Sequence, residues 1–468
     1  MNRFFKILFA SIIPFFTYAQ YGSTGLSNSM NMGMGNTHNA YSFGIYSLGV
    51  NPANTLNADD NSFEFNVIPL IGTRGGTNFI SVNEFNYYFG GVDGEARKLT
   101  QDDKNNLINL FNKGGRVSAD VNVQNLSFVY KVSDKIGAFG FAIDDAMGMN
   151  LQLPYSIPEL LLSGNILNRN FLFNDAFIKT WWLRYYSLSY AREIENIGSK
   201  LFSKVTAGIS LKLVNGFYYV GSERINTYLN TSNTEITGNA DLLIRSAFSE
   251  NIGMNYDFDS LSNKKSSMGV FPSPAGKGYG VDLGICTFLN GNIVFSIALT
   301  DLGSVNWTRN TAEYSSQGKI LIDDITNEQQ IDTLKNKITG EGKYINGFST
   351  PLPTAFRFGT AIKFNSDDDF IPGQLVAAFD YNQGFNDMPG NSIKPRFSLG
   401  IDWKPVDWVP YIRTGVSIGG PDKFNWAFGL GFNMSIAEIN IATSDMQSLA
   451  APNDANRISF SFGTKFKF

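Results

Sequence analysis

The chain holds one histidine, His38, and one cysteine, Cys286. A Ser-His-Asp or Cys-His system would therefore have to use His38. That residue lies in a small, polar, Gly-rich stretch beside Asn39, which is weak ground for a catalytic base. Two acidic groups remain. Asp367, Asp368 and Asp369 stand together, as do Asp102 and Asp103. Clustered carboxylates can take Ca²⁺, but neither group has EF-hand spacing, and both read as solvated turns. Neither an enzyme nor a bound cofactor or metal is expected.

Composition narrows the class. Charged residues are 17% of the 468 and aromatics 14%, with 40 Phe, 46 Gly and only 16 Pro. A soluble domain carries about a quarter charged residues. Mean hydropathy is −0.11, below that of helical membrane proteins. An aromatic-rich chain of moderate hydropathy suits a barrel, where half of each strand is polar. The net charge of −4 comes without any basic tract, so no nucleic-acid partner is expected.

Residues 1–19 read as a signal peptide. Arg3 and Lys6 precede the apolar core "ILFASIIPFF" (7–16), and "TYA" ends at Ala19 before Gln20. Ten apolar residues are too few for a spanning helix, and no later run of about 18 appears. Export across the inner membrane follows as an expectation, and the Gram-negative outer membrane as the destination.

What repeats along the rest is alternation. In "ISFSFGTKFKF" (458–468), Ile458, Phe460, Phe462, Thr464, Phe466 and Phe468 share one face, and Ser459, Ser461, Gly463, Lys465 and Lys467 the other. "FRFGTAIKF" (356–364), "RFSLGIDWK" (396–404), "FNWAFGLGFNM" (424–434), "VTAGISLKL" and "GVDLGICTFL" do the same. A side-chain period of two means strands. Each run has about the 9–11 residues that a tilted strand needs to cross a bilayer. A Lys or Arg facing lipid at the midplane costs about 2–4 kcal/mol. The Phe, Trp and Leu face must then meet lipid, and the Gly, Ser and charged face the lumen. Lumen-facing candidates are Lys212, Asp282, Arg357, Lys363, Asp380, Arg396, Asp402 and Arg413. They either pair with one another to stiffen the barrel, or Arg357, Arg396 or Arg413 meets an acidic head group.

Short connections at 132–135, 193–202, 290–291, 366–372, 404–408 and near Ser435 alternate with longer ones at 91–116, 147–175, 216–276, 303–353, 384–394 and 444–455, and with 419–423. Barrels of the outer membrane keep short turns in the periplasm and long loops outside. Counting back from a periplasmic terminus gives 13 strands from residue 118 and one before, near 77–90. The expected fold is all-β: a transmembrane antiparallel β-barrel of about 14 strands (range 14–16), spanning 62–468. Residues 62–72 are a further strand or the approach to the first. The last strand closes against the first, which removes both edges.

Residues 20–61 are too short and too polar for a core of their own, and are expected to fold into the lumen as an N-terminal hatch. The turn Asn51, Pro52, Ala53, Asn54 belongs to it. In the loops, "QDDKNNLINLFNKGG" and "SIPELLLSGN" (156–165) read as short helices, the second with Ser156 as a candidate cap. Residues 226–244 read as a hairpin rising above the membrane.

The segments "GVNPANTL" (49–56), "PELLLSGN" (158–165), "GYGVDLGI" (278–285), "ALTDLGSVNW" (298–307) and "PLPTAFRFGTAIKF" (351–364) occur in an order that resembles the fatty-acid-transporter-like superfamily of outer-membrane barrels. Within it the chain is most similar to a Bacteroidota family of unknown function. The carrier barrel of the type IX secretion system is a more distant likeness. The resemblance implies about 14 strands, an N-terminal hatch with an Asn-Pro-Ala turn, and an outer-membrane location. Phe466 and Phe468 on the last strand resemble the signal read by the outer-membrane assembly machinery. Two functions stand open: passive transport or binding of a hydrophobic or amphipathic small molecule, or docking of a secreted or envelope protein partner through the long loops. The barrel is expected to be monomeric, with outer-membrane lipid around it.

Overall fold

The computed structural model describes residues 28–57, 62–92, 95–194, 202–252, 271–323, 327–330, 332, 340–364, 372–420 and 423–468. Residues 1–19, read above as a signal peptide, and Asp367–Asp369 lie outside the described residues. Fourteen antiparallel strands close into a barrel. β1 runs as Phe63–Asn66 and Leu70–Thr77. β2 is Gly115–Ser133, β3 Gly137–Leu153, β4 Phe177–Glu193 and β5 Phe202–Ile225. β6 is Gly276–Leu289, β7 Ile293–Trp307, β8 Ala355–Phe364 and β9 Gln374–Gly384. β10 is Arg396–Lys404, β11 Tyr411–Gly419, β12 Lys423–Asn433, β13 Ala437–Thr443 and β14 Arg457–Lys467. Each pairs with its neighbours in the chain. β1 also pairs with β14, with Glu64 opposite Lys467 and Ile71 opposite Phe462.

The seam between first and last strand is locked from outside by aromatic rings. Phe65 lies 5.5 Å from Phe466 and 6.0 Å from Phe468, and main-chain hydrogen bonds join Phe63 and Phe468 in both directions. The expected alternation holds on the wall. On β10, Phe397, Leu399 and Ile401 are exposed, while Arg396, Ser398 and Asp402 are buried. On β14, Ile458 and Phe460 face out, and Ser459, Ser461, Lys465 and Lys467 face in. Large apolar side chains on the outside and charges on the inside invert a soluble protein, as a hydrocarbon surround requires. Among the described residues no helix is long and apolar enough to cross a membrane.

Two expectations need correction. The first strand is not at 77–90 but at 63–77, so the run at 62–72 is the first strand itself. Residues Val82–Phe89 form a helix, because Ser81 accepts from the Glu84 N–H while the Glu84 carboxylate accepts from the Ser81 N–H. That capping box outweighs the aromatic, strand-like composition that follows it. The helix Ser156–Ser163 exists, but Ser156 is not its cap. Its hydroxyl instead accepts the Leu172 N–H at 3.0 Å, tying the helix to the strand Asn170–Leu172.

The other local signals hold. Asn290 and Gly291 take φ of 51° and 79°, the left-handed pair that a two-residue hairpin needs. The helix Gln101–Leu110 is capped by Thr100, and its first turn holds Asp102 and Asp103, so this pair is not a solvated turn: Asp103 is buried in the capping box and accepts the Tyr87 hydroxyl at 2.8 Å. The Thr100 N–H, then the Tyr87 hydroxyl, hold the Asp103 carboxyl below its ordinary range. The hairpin at 226–244 appears as Tyr228–Thr231 against Ile236–Phe248. Its second strand also pairs with Thr311–Ile322, which pairs with Glu341–Tyr344. The wall thus rises as a sheet beyond the loop end on one side.

Leu399 is 58% exposed on the outward face of β10. Leu399→Lys should lower folding stability in lipid vesicles by about 2–4 kcal/mol, read from equilibrium unfolding. In a soluble sandwich the same exposed substitution would be close to neutral, so an unchanged midpoint would contradict the membrane reading of this face.

Candidate functional site

The lumen has two layers. The outer layer, toward the loops, is an apolar cluster: Trp181, Leu183 and Tyr185 of β4, Val214 and Tyr219 of β5, Val305 and Trp307 of β7, with Leu352 and Met388 from the loops. All are at most 2% exposed. The aromatic rings touch: Tyr219 lies 5.6 Å from Trp307 and 5.5 Å from Phe348. Sequence reading missed this cluster for a specific reason. On β5 the inward residues are Ser210, Lys212 and Val214, then Tyr219. On β7 they are Ser296, Ala298 and Thr300, then Val305 and Trp307. Both strands change parity. Register irregularities near Phe217 and near Asp282 and Asp301 put the extra residue in place. Such bulges re-aim every side chain beyond them.

Beneath the cluster lies a charged layer. Lys212 Nζ sits 2.8 Å from Asp282 Oδ2 and 2.6 Å from Asp301 Oδ1, all three fully buried. Asp282 Oδ1 also accepts the Asp301 N–H at 2.7 Å, and Asp301 takes a left-handed φ of 57°. The same bulge therefore turns Asp301 inward, where simple alternation would have sent it out. Lys212 also lies 5.6 Å from the Tyr185 ring, which joins the two layers. Asp402 meets Arg413 at 3.2 Å, and Arg413 donates to Asn440. Lys363 stands 5.2 Å from the Phe43 ring. Arg396 is buried on the inward face of β10.

Residues 28–57 occupy the space that this layer encloses. The Asp380 carboxylate accepts the main-chain N–H groups of His38 at 2.9 Å and Asn39 at 2.8 Å. Arg357 lies against the His38 ring at 3.3 Å. The Asn39 side chain donates to the Ser296 carbonyl of β7. Asn51 donates to the Ser296 hydroxyl at 2.6 Å and accepts the Ala53 N–H, an Asx turn that starts the 3-10 turn Pro52–Asn57. Asn54 donates to the Asn39 carbonyl at 2.8 Å. Tyr41 donates to Asp402, and Asn440 donates to Tyr46. Inward glycines leave room for this. A Cβ at Gly208 or Gly415 would overlap the main chain at Pro52–Ala53 or at Met34.

The lumen residues singled out from sequence are thus not gathered at one point. They spread around the wall in separate contacts: Lys212 with Asp282, Asp402 with Arg413, and Arg357 and Asp380 around His38 and Asn39. Glu64, Glu438, Asn440 and Asp301 complete the layer and were not foreseen. Glu64 and Glu438 both meet Lys465, at 3.4 and 3.3 Å.

The profile of a family of unknown function, DUF5723, matches residues 52–444. No curated protein matches the chain. Among solved structures, the P. putida toluene transporter TodX is 13% identical, with 94% of this chain and 98% of that one covered and a TM-score of 0.47. The Ralstonia pickettii toluene transporter TbuX is 12% identical, covering 94% and 98% at 0.47. A Pseudomonas aeruginosa FadL homologue is 12% identical, covering 96% and 100% at 0.42. Likenesses of that size carry no conclusion about what this chain binds.

Two substitutions test the interior. Asp380→Ala leaves two buried N–H groups without their acceptor, and a hydrogen bond to a charged group is worth about 1.5–3 kcal/mol. Amide exchange at His38 and Asn39 should accelerate at least tenfold, with little change in β9. Asp380→Asn, which keeps an acceptor, should fall between. Equal exchange in all three would remove Asp380 as an anchor. Lys212→Met strands two buried carboxylates and should cost about 3–5 kcal/mol in barrel stability by denaturant titration.

Proposed function

Taking as premise that the chain belongs to this family of unknown function, DUF5723, we propose that it is an outer-membrane barrel for passive movement or binding of a hydrophobic or amphipathic small molecule. One observation carries the reading: the loop-side half of the lumen is filled by packed apolar and aromatic side chains. A water-filled passage for polar solutes needs a polar interior. A concave apolar site with a few polar groups suits an apolar ligand instead. The short turns lie in the periplasm and the long loops outside, as in barrels of this kind. Residues 28–57 act as a hatch at the periplasmic half. They are held by hydrogen bonds and ion contacts that can exchange with water, so ligand passage needs their partial displacement.

A second reading, docking of a secreted or envelope protein, is favoured by the sheet that rises from the loop end. Its Leu321, Tyr344 and Tyr228 are exposed. It would leave the apolar lining of the lumen without a use, and for that reason it ranks second.

The deciding experiment is entry of a fluorescent acyl probe into proteoliposomes. Wild type should admit it several-fold faster than protein-free vesicles, and Trp307→Asp, which puts a charge in the apolar cluster, should return the rate to background. Swelling in a neutral sugar should be the same throughout. A wild-type rate no faster than protein-free vesicles, together with an unchanged complement of bound lipid, would sink the transport reading.

A further inference from the structure

On the outer surface, where β6 and β7 reach the loop end, lies a cavity of about 350 Å³ lined by Lys277, Tyr279, Asn306, Thr308, Arg309 and Pro274 among others. Its construction follows from the wall. Lys277 is paired with Asn306 across the two strands, and Tyr279, two residues on, shares their outward face. Asn306 faces out only because the bulge at Asp282 and Asp301 changes the parity of β7. The N–H groups of Thr308 and Arg309 both donate to the Ala275 carbonyl at 3.0 Å, which folds that turn over the start of β6. Ala275 in turn donates to Gly216 at 2.8 Å. The two cations are therefore carried on a hydrogen-bonded frame.

Further down the same outward face come Leu283, Ile285, Phe295 and Ile297, all exposed. The cavity sits at the loop-side end of that apolar belt, and the Tyr279 ring, 72% exposed, stands between the two. Among the described residues its lining offers two cations, an amide and a hydroxyl, and no carboxylate. Among the described residues neither Lys277 nor Arg309 makes an ion pair. Arg, Lys and neutral donors converging without a counter-charge are the chemistry that binds phosphate oxygens.

We propose that this cavity is a binding site for the phosphorylated head group of an outer-leaflet lipid, with the acyl chains running down the belt past Tyr279. The site lies outside the barrel and is separate from any lumenal path. It rests on the membrane placement proposed above and not on transport.

The test uses the full chain in phosphatidylcholine nanodiscs doped with a bis-phosphorylated glycolipid, lipid A, or with the same lipid dephosphorylated. Lipid retained by the protein is counted by native mass spectrometry. Wild type should retain about one phosphorylated lipid per chain and at least tenfold less of the dephosphorylated form. Lys277→Gln with Arg309→Gln should lose that preference, and Lys277→Arg with Arg309→Lys should keep it. Should the double variant fail to insert, the single variants and the loss of retention at high salt give the same reading. Equal retention of the two lipids, or a Gln variant that binds as wild type does, would overturn the site. Displacement by millimolar inorganic phosphate would make it a free-anion site and overturn the lipid assignment. A chain that does not enter nanodiscs at all would fail at the membrane placement, a result distinct from insertion without phosphate preference.

Discussion

Inside hydrocarbon no water can satisfy a main-chain N–H or carbonyl, so a sheet in that medium must have no edge. The pairing of β1 with β14 meets that constraint here, and the rest of the structure follows from it. A closed wall has an inside and an outside, and the period of two sorts every strand residue between them. Phe, Leu, Ile and Trp go to the outside and Gly, Ser, Asn and the charges to the inside. The seam is the weakest place in such a wall, because β1 is interrupted between Asn66 and Leu70. Side chains repair it. Asn66 donates to the Ile68 and Gln124 carbonyls, and Thr464 donates to Ile68.

The interior then raises the opposite problem. Fourteen strands enclose more space than their own inward side chains fill, and the inward charges are costly to bury unless paired. Residues 28–57 address both. They supply volume where the inward glycines leave none, and they supply N–H donors to Asp380 and Glu64. Residues 28–57 and the charged layer are in this sense one polar network, and each leaves the other's groups unsatisfied if it is removed. Above it the wall turns apolar, and the boundary between the two layers falls at Lys212, between the Tyr185 ring and its two carboxylates.

How much of this could be read from sequence depended on parity. β8, β10, β12 and β14 keep strict alternation, and there the inward and outward residues were legible one by one. β5 and β7 were legible only as far as their bulges. Past Phe217 and Asp301 the alternation restarts out of phase, so 216–276 and 303–353 read as loops, whereas the strands run on to Ile225 and Trp307; Tyr219, Val305 and Trp307 were therefore invisible as lumen residues, as was Asp301 as the second partner of Lys212. A glycine inside a strand, as in "TDLGS" (300–304), hints at a bulge, but does not give the new phase. The Val82–Phe89 helix is a different case. Its cap, Ser81 with Glu84, was in the sequence, and aromatic composition masked it. Long-range partners such as Asp380 for His38, about 340 residues apart, leave no local signal at all.

Glu64 ties three parts of the chain together. Its carboxylate accepts the Ile45 N–H at 3.0 Å from the segment inside the barrel, while its own strand is the first of the wall and Lys465, its ionic partner, lies on the last. The barrel cannot shut before its final strand is in hand, and the inner segment cannot be threaded through a finished wall. Docking of 28–57 and closure of the ring share Glu64, and contacts of such sequence separation make both steps slow. Until then the nascent sheet keeps an open edge beside an unshielded set of charges, which sets the interval during which the chain depends on being held apart from its own copies.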